Sequence, residues 1–348
     1  MKAHELATSQ VGPAQRGWIL TADLRRKNGK RFLRKGARID DAALAEWDQA
    51  ADVILHLIEP EAGDLHEDVA GRRLAEAVAG EGILIRPPVQ SRLNLAATRK
   101  GLLRVDRELL LSLNRINGLT AFSLLDKQPV LPGKIVAGVK TTPITVREEL
   151  IEQAEKLVAE AGRKPVNVVA YEPQRVAVFA TEGLNDKMRQ RFRDNVEKKV
   201  RWYGSEMTDL RFIEHHADEV AATIQDFLDD DVDVIFAAGG NTIDPLDPIL
   251  LGLHQAEAEM LHFGAPAHPG SMFWIARIGE VPVVNLASCS MYSRSTVADL
   301  VLPTIMTGVG ISGEDVVQLA YGGVLDREMG FRFPDYDVEE VDEPDEEE

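Results

Sequence analysis

The chain has 348 residues, 45% hydrophobic and 28% charged, the balance of a soluble globular protein with room for two domains and sizeable cores. A formal charge of −18 excludes broad nucleic-acid binding, which needs a basic face, and a single cysteine, Cys289, excludes an intramolecular disulfide framework. No apolar run approaches the roughly 20 residues that span a bilayer, and MKAHELATSQVGPAQRG lacks the apolar centre of a signal peptide; the expectation is a cytoplasmic protein with no membrane partner.

Residues 1–14 read as a flexible N-terminus. From 15 to 145 short strands and helices alternate, as in a smaller α+β domain. RGWILTADL and DVILHLI are strand-like, and DDAALAEWDQA and DLHEDVAGRRLAEAVAG are helix-like. Asp64 is placed to cap the second helix and Gly80 to stop it. LLDKQPVLPGKIVAGVKTTPI reads as strands broken at the Pro132-Gly133 turn. Residues 146–164 form a linking helix, with Val146, Leu150, Ile151, Ala154, Leu157 and Val158 on its apolar face.

From 165 to 330 the alternation becomes regular. VNVVAY and RVAVFAT are β-branched strands, DKMRQRFRDNVEKKVRWYG is a helix, and DLRFIEHH leads into the helix ADEVAATIQDFLDD. VDVIFAA is a continuous apolar run, as expected of a strand buried on both faces of a parallel sheet. DPILLGLHQA, VPVVNLA and STVADLVLPTIM continue the pattern, which predicts a doubly wound, three-layer α/β domain. Ten of the 57 acidic residues lie in Asp335–Glu348, which has no base, so residues 331–348 read as an acidic, disordered tail kept for solubility.

Ligands of such sheets bind beyond the carboxyl ends of the strands. DVIFAAGGNTIDPLDPILLGL places Gly239 and Gly240 at that edge, where bare backbone can approach a ligand and its amides can donate to an anion. Thr242 adds a hydroxyl beside Asn241. Asp244 and Asp247 could cap the next helix, hold a divalent cation or accept from an amino-bearing heterocycle. The plainer reading is a strand-to-helix turn with Asp247 as its N-cap.

This constellation resembles the molybdopterin-binding proteins of the MoaB/Mog fold, especially the MoeA-like molybdotransferases. That family has a buried strand, two glycines, a hydroxyl residue two positions on and an aspartate five beyond it, matched here by Gly239, Gly240, Thr242 and Asp247. HPGSM, with Pro269, Gly270 and Ser271, is similar to its Pro-Gly loop, and VPVVNLASCSMYSRSTVADLVLPTIMTG to its next strand, loop and helix. The resemblance implies a pterin ligand, molybdopterin or its adenylylated form, with magnesium and molybdate as possible companions. It implies a homodimer and a recipient molybdoenzyme. Gly239 and Gly240 would then take phosphate or the pterin's acceptor edge, Asp247 would take its donor edge or the magnesium, and Ser288 and Ser290 would close the pocket with the Pro269-Gly270-Ser271 loop. Asp247 and Asp244 would be the catalytic acids if the protein inserts molybdate.

The chain also departs from that family. A Met-Asp-Gly-Tyr-Ala stretch is absent, HHAD stands where paired aspartates are usual, ASCS replaces Pro-Gly-Asn-Pro, and only TEG remains of a Thr-Gly-Asp-Glu turn. Binding survives such losses more easily than catalysis, which needs charges placed within fractions of an ångström. A non-catalytic carrier is therefore set beside the transferase, and a magnesium-dependent nucleotide pyrophosphatase on the same fold is the third alternative. His215 and His216 are adjacent and would point to opposite faces of a strand end, so they do not pair on one metal. Arg277 and Arg294 are candidate phosphate partners. Cys289 reads as a buried thiol, and the basic stretch of residues 183–202 as a solvated helix face.

Overall fold

The computed structural model describes residues 1–89, 91–181, 183–240, 243–286 and 296–338. The protein is mixed α/β and divides into two compact units. Unit 1 comprises Met1–Ala97, Val105–Leu124 and Ile135–Asn167; unit 2 comprises Thr98–Arg104, Leu125–Lys134 and the chain from Val168 onward. Two short segments of the predicted first domain thus belong to unit 2.

Unit 1 is a patchwork of short antiparallel sheets. Leu119–Ser123, Ile135–Thr141, Arg92–Ala97 and Ile83–Val89 form one sheet in that order. Lys2–Ala7, Ile54–Glu59 and Ile19–Leu20 form another. Residues expected to be a flexible terminus therefore supply an edge strand, and Leu6 packs on the core of Leu20, Leu24, Leu55 and Leu57. Asp64 does not cap the following helix. It lies in strand Asp64–His66, paired with Thr145–Arg147, and its carboxylate already accepts the Glu61 N–H at 2.8 Å. His66 caps helix Glu67–Val78 instead, its Nδ1 accepting the Asp68 N–H at 3.2 Å. The expected linking helix, Glu148–Ala161, is part of unit 1. It buries Ile151, Ala154 and Val158, and Arg73 donates to its Glu148 and Glu155 at 2.7 and 2.8 Å.

Unit 2 contains strands β1 (Arg175–Ala180), β2 (Glu206–Phe212), β3 (Val234–Ala238), β4 (Glu259–Phe263), β5 (Trp274–Ile278) and β6 (Val281–Leu286). Its main helices are α1 (Asp186–Trp202), α2 (Ala217–Asp229), α3 (Pro248–Gln255) and α4 (Val297–Ile305). The sheet runs β2-β1-β3-β6-β5-β4. The first four strands are parallel; β4, β5 and β6 pair antiparallel. Every residue of β3 is buried, which explains its unbroken apolar run. Strand alternation then sorts two cores. Val176, Val178 and Ala180 pack with α1 and α4 on one face, and Ala177 and Phe179 pack with α2 and α3 on the other. The result is three layers, with each large side chain such as Phe179 contributing about 1.5–3 kcal/mol by burial.

Two expectations for unit 2 change. Residues 331–338, read as the start of a disordered tail, pack on α1 and α4: Tyr336 donates its hydroxyl to Asp299 at 2.8 Å, and Trp202 Nε1 donates to the Val338 carbonyl at 2.9 Å. Burial, reinforced by Asp299, pushes the Tyr336 phenol well above its ordinary pKa. Lys199, read as part of a solvated basic face, instead makes a buried pair with Asp299 at 2.6 Å. Residues 339–348 of the acidic tail lie outside the described residues. Among the described residues, no helix is long and apolar enough to cross a membrane.

Candidate functional site

Three loops converge at the carboxyl rim of β2, β1 and β3. Thr181 follows β1, and its backbone N–H donates to the Ala238 carbonyl at the end of β3 at 3.0 Å. His215 follows β2, whose exit is tied down by the Ile213 N–H on the Ala180 carbonyl, also 3.0 Å. Gly239 and Gly240 follow β3 with φ of 104° and 79°, a region glycine enters without a Cβ penalty. The chain turns from β1 to β2 on one side and reaches β3 on the other, so this rim is a switch point, where open α/β sheets bind ligands.

Asp247 anchors the site. It is the N-cap of α3, Oδ1 accepts the Ile249 N–H at 2.9 Å, and Pro248 at the first helical position sets the helical φ. The residue is only 3% exposed. His215 bridges across the rim, with Nδ1 3.0 Å from Thr181 Oγ1 and Nε2 3.4 Å from Asp247 Oδ2. An imidazole held between a hydroxyl and a carboxylate is fixed in orientation and can hold or pass a proton. Its side chain is 41% exposed and faces solvent where the carboxylate does not.

This alters the role read for the glycines. A Cβ at Gly240 would lie 2.8 Å from Asp247 Oδ1 and 3.0 Å from Ile249 Cδ1. The space expected to admit a ligand at that position is filled by the aspartate's own carboxylate. Gly270 is similarly spoken for: with φ of 116°, its Cβ would meet Val297 Cγ2 at 2.9 Å, so the Pro269-Gly270 loop lies against the start of α4. Within that loop the Ala265 N–H donates to the Ser271 carbonyl at 2.9 Å. Asp244 is exposed and closes a local turn, its Oδ1 accepting the Leu246 N–H at 2.9 Å.

The structure therefore brings Gly239, Gly240 and Asp247 together with His215 and Thr181. Asp218, which follows the altered HHAD positions, turns elsewhere and accepts from Gln255 at 3.1 Å. Arg277 is not at this rim. It pairs with Glu259 at 2.6 Å, which raises its pKa, and lines a cleft of about 500 Å³ with Asp233, Gln174 and Pro282 at the amino ends of the strands. Asn241, Thr242, Ser288, Cys289, Ser290 and Arg294 lie outside the described residues. Among the described residues there is no group of three or more His, Cys, Asp or Glu arranged for a metal ion.

Sequence reasoning missed three participants. In the sequence Thr181 stands out only as the first residue of TEG, the remnant of a turn, and His215 only as one of two histidines that do not share a metal. Asn285 was hidden as the one polar residue inside VPVVNLA. It lies in β6 opposite Ala237 of β3 and is 2% exposed. Its Nδ2 reaches the Met272 carbonyl at 3.5 Å, while Oδ1 has no hydrogen-bond partner among the described residues. A buried, unsatisfied amide oxygen is costly, and it offers an acceptor to a ligand N–H.

No family model matches the chain, and no curated protein matches it. Among solved structures it is similar to the molybdopterin biosynthesis Mog protein from Mycobacterium ulcerans, at 16% identity over 34% of this chain and 88% of that one, with a TM-score of 0.26. It is similar also to the molybdopterin biosynthesis MoeA protein from Pyrococcus horikosii, at 12% identity over 72% of this chain and 76% of that one, with a TM-score of 0.29. Likenesses this slight carry no argument about activity.

Proposed function

We propose that unit 2 binds a flat, phosphorylated heterocycle of the molybdopterin kind and serves molybdenum-cofactor biosynthesis or delivery as a carrier. The reading is supported by the motif of Gly239, Gly240, Thr242 and Asp247. The observation that carries it is the meeting of three loops at a switch point, next to strand β6, where Asn285 lies opposite Ala237 with an unsatisfied Oδ1. The Gly239 backbone and the side of Gly240 that Asp247 leaves open would face the phosphate or the ring's acceptor edge, and Asn285 Oδ1 would accept from its amino edge. Asp247 acts through its neighbours: it caps α3 and orients His215, the exposed member of the cluster. A carboxylate already engaged by Ile249 N–H and His215 is a positioning group, and this favours binding over molybdate insertion.

The test is purification from a host that makes the cofactor, followed by fluorescence and mass spectrometry of the bound material. An oxidised pterin should accompany the wild type and be lost from His215→Ala and Asn285→Leu. Asp247→Ala should retain less of it than wild type. Wild type emerging without pterin would sink the proposal, and magnesium-dependent cleavage of dinucleotides by pterin-free protein would establish the pyrophosphatase reading instead.

A further inference from the structure

Unit 1 holds a cleft of about 420 Å³ lined by the bases Arg31, Arg34, Lys35 and Lys140 and by the acids Asp23, Glu67 and Asp68. Three pieces of local structure build it. Strands Leu24–Arg25 and Arg31–Leu33 form a two-stranded ribbon that leads into the turn carrying Arg34, Lys35 and Gly36. Strand Asp64–His66 runs directly into helix Glu67–Val78, and Ile135–Thr141 contributes Lys140. His66 staples the first two together: Nε2 contacts the Gly36 carbonyl at 2.8 Å while Nδ1 accepts the Asp68 N–H. Both ring nitrogens are thereby used, and the Nε2–H tautomer is required.

The charges in this cleft are unsettled. Among the described residues, no hydrogen bond or ion pair engages the side chains of Arg31, Arg34, Lys35 or Lys140. Glu67 is 3% exposed as a whole residue, but its side chain lines the cleft, and among the described residues no hydrogen bond or ion pair engages its carboxylate. It is pressed against Gly36, where a Cβ would lie 2.8 Å from Oε1 and where φ is 81°. At the amino end of its helix the carboxylate is favourably placed, and on the cleft side it is free to accept from a ligand N–H. Four cations and three carboxylates, Asp23, Glu67 and Asp68, in one cleft suit a ligand that is anionic at one end and donates N–H at the other. Arginine forks suit a phosphate's paired oxygens. The volume is within the range of small-molecule sites. A nucleic-acid backbone would be repelled by Glu67.

We infer that this cleft binds a small phosphomonoester bearing an amino group, with Arg31, Arg34, Lys35 and Lys140 on the phosphate and Glu67 accepting from the amine. Titration calorimetry of the full chain at low salt, with inorganic phosphate and with O-phosphoethanolamine, tests it. Both should bind wild type, the amine-bearing probe at least fivefold more tightly. The double variant Arg31→Ala/Arg34→Ala changes two exposed side chains and should weaken both at least tenfold. Glu67→Gln should keep phosphate binding and lose the preference. Arg31→Ala/Arg34→Ala should weaken these titrations yet still retain pterin on purification, so this inference stands or falls apart from the pterin reading. No binding to wild type at millimolar phosphate, no effect of the arginine variant, or a preference that survives Glu67→Gln would overturn it.

Discussion

Asp247 and Glu67 occupy the same niche in two regions that share no architecture. Each stands at the amino end of a helix, each is 3% exposed, and each presses an oxygen to within 2.8 Å of where a glycine's Cβ would be. A histidine neighbours each: His215 for Asp247, and His66, the preceding residue, for Glu67. They differ in what answers the charge. Asp247 accepts the Ile249 N–H and faces His215, whereas Glu67 has no such partner among the described residues and looks onto unpaired cations. The lesson is that burial and glycine packing do not by themselves make a carboxylate structural or functional. The deciding feature is whether the fold has already supplied its donors.

The most severe way to break this comparison is to fill the glycine spaces. Gly240→Ala and Gly36→Ala should each lower stability by about 3 kcal/mol, from left-handed strain plus overpacking against the carboxylate. Denaturant unfolding measures this, and a silent Gly36→Ala would mean Glu67 is not confined as described. Removing the acids should then separate the two sites. Asp247→Ala should cost about 1–2 kcal/mol, as loss of an N-cap does, while Glu67→Gln should stay within about 0.5 kcal/mol because no donor is orphaned. Equal losses in thermal melts would erase the distinction.

The smallest effect is read by acid titration of a third helix cap. Asp106 in unit 1 accepts the Leu109 N–H at 3.0 Å and pairs with Arg163. The Leu109 N–H is the largest influence; burial opposes it, and Arg163 joins it to hold the carboxyl below its usual pKa. A depressed folded pKa stabilises the protein above the unfolded value, near pH 4, and that stability fades as pH falls through the lower folded value. Asp106→Asn should therefore flatten the acid limb of the stability profile. An unchanged limb would show that this cap, unlike Asp247, is immaterial.

Much of unit 2 was legible because its strands are buried on both faces and its helices carry apolar stripes, signals that local sequence cannot hide. Asp247 was read as a possible cap on the same local grounds. Unit 1 was less legible. KAHELA looks like a loose terminus until Ile54–Glu59 is beside it to bury Leu6. Asp64 looked like a cap because spacing alone does not reveal that its oxygens already serve the Glu61 turn. The acidic composition after residue 331 masked Tyr336, whose ring is anchored through Asp299 from 37 positions away.

By itself, then, the sequence determined where the strands and helices of unit 2 form, that one sheet is buried between helices, and that glycines and acids mark its carboxyl rim. Those features follow from periodicity, backbone sterics and capping, which act within a few residues. Only the tertiary structure decided that Gly240 makes room for Asp247, that His215 joins Asp247 to Thr181, that Asn285 Oδ1 is left unsatisfied, and that Glu67 shares a cleft with four bases. Hydrogen-bond satisfaction depends on which distant groups are brought within about 3 Å, and no local pattern encodes that.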